Sequence, residues 1–248
     1  MPEFIEPDWG LVATRDGTLP DGGPVYAETP TDFSREVAGL PAEPWNTATA
    51  ILFVVIALGW AWRLRGSYRE YPFLTCCLPI LLAGGIGGTL YHATRSSYAF
   101  FLLDVVPISL LGLAGSVFMA VRYWGGRGWR FVPVAVAFYV GVNQLLFAAV
   151  GPTNVQLAIN LTYAALAVVI LTPIVLVLIR SRGRHAGWVV AGVVAFVIAW
   201  FFRLLDQRMS LVMSMGSHWL WHASGAVATA MLIEYFYRVE GEMREVRS

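Results

Sequence analysis

The chain contains no lysine: all 17 of its basic side chains are arginine. Without a side-chain amine no Schiff base can form to retinal or to any other carbonyl cofactor, which removes a rhodopsin-type function. Cysteine is nearly as scarce. Cys76 and Cys77 are adjacent within an apolar run, so neither a disulfide framework nor a cysteine metal site is indicated, and both read as small packing residues. Charge is thin as well, at 13% of 248 residues against 57% hydrophobic, far more apolar than a soluble domain of this length needs. The first 44 residues do not read as a secretory leader, so none is expected. They are polar, rich in Pro and Gly, and hold nine acidic against two basic residues, which predicts an exposed tail.

What the chain does have is a series of runs of roughly 20 mostly apolar residues, the length a helix needs to cross a bilayer. They fall near 46–63, 72–92, 99–121, 130–150, 155–179, 187–205 and 216–237. The expected fold is an all-α membrane protein, a seven-transmembrane helical bundle. Arginines cluster at Arg63, Arg65 and Arg69, at Arg122, Arg127 and Arg130, at Arg180, Arg182 and Arg184, and at Arg238, Arg244 and Arg247, on alternate connections and the C-terminus. The positive-inside rule makes those segments cytoplasmic and the N-terminus external. The domain reading is an acidic extracytoplasmic segment over 1–44, a membrane domain over 45–238 and a short cytoplasmic tail over 239–248. No low-complexity segment or internal repeat interrupts it, and no discontinuous span pair suggests a transporter. Gly84-x-x-x-Gly88 within "GGIGG" lets a neighbouring helix approach the second span.

The strong polar residues of the spans gather on the predicted outer side. His92 ends the second span and His218 and His222 begin the seventh, whereas His185 lies in a cytoplasmic connection. Residues four apart share one helix face, so His218 and His222 can ligate one ion, with His92 as a third ligand from another helix. Three neutral imidazoles with an open fourth position are the arrangement in which zinc lowers the pKa of a bound water to about 7. The bland alternative for "HWLWH" is interfacial packing with Trp219 and Trp221. A haem reading fares worse, because two histidines one turn apart on one helix cannot be opposite axial ligands. Asp104 in the third span and Arg203 with Asp206 in the sixth lie on the same side. Arg203 and Asp206, at i and i+3, are expected to pair; a headgroup contact by Arg203 is the alternative. Asn143 and Gln144 are candidates to line the same cavity or to bond between helices.

In order and membrane position, "PAEPWNT" (41–47), "GGTLYHATRSS" (87–97), "FLLDVVPI" (101–108), "FFRLLD" (201–206) and "GSHWLWH" (216–222) resemble the alkaline ceramidases and their bacterial relatives. That family belongs to a seven-helix superfamily that also holds the adiponectin-receptor-like proteins. The resemblance covers nearly the whole chain. It implies a zinc ion held by His92, His218 and His222, with Asp104 hydrogen-bonded to its water as general base. The implied activity is hydrolysis of the amide bond of a ceramide-like membrane lipid, with no nucleic-acid partner. One departure concerns the serine that the family places four residues before its first histidine: here that position is Gly88, and the hydroxyl, Thr89, comes three before. On a helix this shift swings the side chain by about 100°. Thr89 is accordingly the candidate to assist at the reacting oxygen. The family also implies a calcium ion on acidic residues of the tail, for which Glu28 and Glu43 occupy matching positions; the alternatives are a solvated Glu28 and a Glu43 that caps the first helix beside Asn46. Hydrolysis of another acyl lipid, or lipid sensing by a receptor, remains compatible with the same residues.

Overall fold

The computed structural model describes residues 19, 21–30, 40–151 and 153–245, so much of the acidic tail and Arg247 lie outside the described residues. Seven α-helices follow in order: α1 (Pro44–Arg63), α2 (Pro72–Thr94), α3 (Tyr98–Trp124), α4 (Phe131–Ala149), α5 (Val155–Arg180), α6 (Ala186–Met209) and α7 (His218–Glu245). Their ends have local causes. Pro44 and Pro72 open α1 and α2, where a missing N–H costs nothing. Ser97 and Asn154 cap α3 and α5 by accepting from Ala99 and Leu157 N–H. A 3-10 turn over Gly125–Arg130 joins α3 to α4.

Five stretches are long and apolar enough to cross a membrane: α1, α2, a single run from Tyr98 to Ala149 that takes in α3 and α4, Leu157–Arg180 in α5, and α6. Helix α7 carries Glu234, Glu240 and Glu242 in its second half. No strand occurs among the described residues. Large apolar side chains such as Val55, Leu58, Val168, Ile179, Val190 and Val194 point outward, the surface a lipid-embedded protein presents. The chain is an integral membrane protein by these features.

Helices α1, α2, α3, α5, α6 and α7 pack in a ring, with α4 against α5 at its edge. The "GGIGG" stretch sets α2 between two neighbours, as expected of small residues. A Cβ on Gly85 would meet Val54 of α1, and a Cβ on Gly84 or Gly87 would meet Pro107 or Leu103 of α3. At one end of the bundle the arginine clusters find acidic partners. Glu234 takes Arg63 and Arg238 at 2.7 and 2.8 Å, and Glu242 takes Arg122 and His185 at 3.1 and 2.9 Å. Glu240 accepts from the N–H groups of Phe73 and Leu74, satisfying the first turn of α2. His185 thus lies at the opposite end of α7 from the other three histidines.

The described part of the N-terminal segment corrects the expectation of an exposed tail. Leu19, Asp21, Tyr26 and Thr29 are buried, packed over the end of the bundle that holds the three histidines.

Candidate metal centre

His92, in the last turn of α2, and His218 and His222, at the start of α7, meet with ligating nitrogens all within 4.8 Å of one another. All three are buried, and no other metal-ligating group of three forms among the described residues. The Nε2 atoms of His92 and His222 are 3.1 Å apart. Nitrogens on one tetrahedral zinc at ordinary bond lengths stand about 3.3 Å apart, so the donor set fits such an ion.

The surroundings hold these rings in place. Glu43, which precedes α1, lies 2.5 Å from His92 Nδ1 and thereby leaves His92 Nε2 as the free lone pair. The same carboxylate accepts from Thr29 Oγ1 at 2.6 Å, Asn46 Nδ2 at 3.0 Å and Arg95 Nη1 at 2.7 Å. Burial alone would push the Glu43 carboxyl up, but the Arg95 guanidinium and the hydrogen bonds from His92 and Thr29 outweigh it and hold it well below the usual range. Arg95 is itself fixed by two bonds to Asp21, at 2.7 and 3.1 Å, and by one to the Pro24 carbonyl. The Tyr26 ring stacks on His218 with centroids 3.8 Å apart. A three-part clamp of tail, α1 and α2 therefore closes over the triad.

Asp206 does not pair with Arg203, which corrects the expectation from their spacing. Its Oδ1 accepts from the N–H groups of Ser217 and His218, each at 2.8 Å, and its Oδ2 accepts from Ala27 N–H at 2.8 Å. Unsatisfied N–H groups at the start of α7 compete for this carboxylate better than a guanidinium one turn away. Gly216 makes the approach feasible: it sits at φ +64°, and a Cβ there would collide with Asp206 and Ala27. Arg203 turns instead to α5, where Nε donates to Asn160 Oδ1 at 2.8 Å.

Beside the triad lies a cavity of about 270 Å³, lined at one end by Asp104, His222, Arg203 and Tyr26 and elsewhere almost wholly by apolar side chains. It follows α2 from Gly85 to Leu74, about 16 Å at the helical rise. Asp104 accepts no protein hydrogen bond among the described residues. Gly88 faces it so closely that a Cβ there would meet Asp104 Oδ1. Thr89 is turned away: its hydroxyl donates to the Gly85 carbonyl at 2.7 Å, within its own helix, and it does not line the cavity. The 100° swing decides this, so the expectation for Thr89 is corrected. Asn143 and Gln144 do not line the cavity either; Asn143 bonds back to the Tyr139 carbonyl. Asn160 is the amide that matters.

The two tail acids also have work other than calcium. Glu28 accepts from the N–H groups of Trp45 and Asn46 at 2.6 and 2.9 Å, capping α1. Burial raises its carboxyl despite those N–H groups. The Glu43 oxygens are taken by four donors, and among the described residues no third acid joins Glu28 and Glu43. No family model, curated protein or solved structure matches the chain.

Sequence reasoning missed Arg95, Asn160 and Tyr26. For Arg95 a signal existed: outside the tail, only Arg95, Arg203 and Arg208 break the positive-inside pattern. Two of those three are buried at the site.

Proposed function

We propose that the chain is a zinc-dependent intramembrane lipid amidase of the alkaline ceramidase type, cleaving N-acyl lipids of the ceramide class into a fatty acid and an amine. In this reading all seven helices span the membrane, the arginine-rich end is cytoplasmic, and the triad faces the extracytoplasmic side. The observation that carries the reading is the cluster of three buried imidazoles beside a carboxylate, Asp104, at the mouth of a long apolar cavity.

A zinc ion held by His92, His218 and His222 would supply Lewis-acid polarisation of a carbonyl and a water acidic enough to attack at neutral pH. Glu43 orients His92, and Asp206 anchors the His218 backbone, so that two of the three ligands are preset. Asp104 takes the proton of the attacking water and delivers it to the leaving nitrogen. The apolar walls, from Phe53 and Gly85 to Leu232 and Phe236, accept the acyl chain and exclude bulk water. In this reading the lipid enters sideways from the outer leaflet, and α5 and α6 are the loosely packed neighbours that would part to admit it.

The test is to incubate the purified, detergent-solubilised protein and its His222→Ala variant with N-acyl sphingoid bases and other N-acyl lipids, and to measure released fatty acid by mass spectrometry. Release by the parent alone is expected. A parent that holds stoichiometric zinc and releases nothing would remove the amidase reading.

A further inference from the structure

Arg203 is buried in the wall of the cavity with no carboxylate in direct contact; the nearest charge acting on it is that of Asp104, which lines the same end of the cavity. Only 4% of it is exposed, its Nε is committed to Asn160, and no carboxylate of the described residues comes within ion-pair distance of it. Asp206, one turn away, is spent on backbone N–H groups. Around it stand three aromatic rings, with the guanidinium carbon 5.2 Å from the centroids of Tyr163 and Trp221 and 5.9 Å from that of Tyr26, whose hydroxyl is a further polar neighbour. Faces of aromatic rings offset part of the lost hydration of a guanidinium, but an unpaired cation at this depth is still costly. A cation kept in a ligand cavity with no carboxylate in contact is placed to meet an anion on the ligand. The arrangement is pre-organised as well, because the Asn160 bond and the three rings fix the plane of the fork while its terminal nitrogens remain unspent on any carboxylate.

We infer that Arg203 is a carboxylate-binding subsite and that the lipid taken by this cavity carries a carboxylate at its polar end. This rests on the amidase reading for the bond cleaved and departs from it in the headgroup: the substrate class becomes an N-acyl amino acid, whose carboxylate is one carbon from the scissile nitrogen, in place of a ceramide. A neutral ceramide headgroup makes no use of the cation. The reaction needs no co-reactant but water. The C–N bond breaks, the water oxygen ends in the fatty-acid carboxylate, and the proton removed from water ends on the amine of the released amino acid. The fatty-acid product presents the same chemistry as the substrate headgroup, so the two sources must be separated.

Binding is measured first, on chelator-treated protein, by titration with N-oleoylglycine, oleic acid and the neutral N-oleoylethanolamine. N-oleoylglycine is expected to bind at least tenfold more tightly than N-oleoylethanolamine. Arg203→Gln should abolish that preference and Arg203→Lys should keep part of it, with thermal melting showing that each variant is folded. Equal binding of the acidic and neutral amides by the parent would overturn the inference, and this comparison needs no variant. So would a folded Arg203→Gln protein that keeps the preference. Turnover by zinc-loaded protein then separates the sources. Faster hydrolysis of N-oleoylglycine than of N-oleoylethanolamine assigns the carboxylate to the substrate. Equal turnover, with tight binding of oleic acid, assigns it to the product. Selective binding with no turnover of any amide would remove the amidase reading and leave the Arg203 subsite standing.

Discussion

Glu43 Oε2 lies 2.5 Å from His92 Nδ1, while Oε1 of the same carboxylate receives Arg95 Nη1 at 2.7 Å. One side chain thus joins a would-be metal ligand on α2 to a buried guanidinium that in turn holds the N-terminal segment through Asp21. Orientation of the triad and docking of the tail are the same structural event.

Replacing Glu43 by Gln should therefore weaken metal binding more than it weakens folding. Loss of a carboxylate behind a ligating histidine lowers metal affinity by about 10–100-fold. Competition against a chromophoric chelator measures this; an unchanged affinity would show that Glu43 serves only to bind Arg95.

Asp104 and His222 should separate metal binding from turnover. Asp104→Asn is expected to keep full zinc stoichiometry while slowing hydrolysis by about 10²–10⁴-fold, the range for a lost general base. His222→Ala should lose both metal and turnover. Elemental analysis beside the fatty-acid release assay distinguishes the two, and an Asp104→Asn protein of normal activity would sink the general-base assignment.

The positions before His92 give a paired contrast. Gly88→Ala places a methyl group against Asp104 Oδ1 and should reduce turnover with zinc content intact. Thr89→Val removes a hydroxyl that bonds only to its own helix and should leave turnover within about twofold, since such back-bonding contributes little. A large loss in Thr89→Val would return the hydroxyl to the chemistry.

Metal removal should be visible as a loss of stability. A ligand present at a thousand times its Kd stabilises the folded form by about 4 kcal/mol. The melting temperature should fall on chelation and recover with zinc in the parent, and should respond to neither in His222→Ala.

At the far end of the bundle, Glu240→Ala should destabilise the fold without touching the metal site. It strips the N–H groups of Phe73 and Leu74 of their acceptor, a loss of about 1–2 kcal/mol for a helix-capping interaction. A lowered melting temperature with unchanged zinc content is the expected pair of results.

The sequence by itself determined what short-range regularities can carry. Apolar run length set the helices, with boundaries such as 155–180 observed against 155–179 expected. The four-residue spacing of His218 and His222 put two imidazoles on one face, and the small residues of "GGIGG" marked where α1 and α3 come close. Tertiary structure decided how the remaining polar groups pair. Spacing allowed Arg203 to meet Asp206, but the free N–H groups at the start of α7 claimed the aspartate and Asn160, 43 residues away, claimed the arginine. Likewise Arg95, outwardly one more loop arginine, turned inward because Asp21 and Glu43 converge there only once the tail has docked. Periodicity determines which face of a helix a side chain occupies, whereas the partner of a buried charge is chosen by competition among groups that only folding brings within reach.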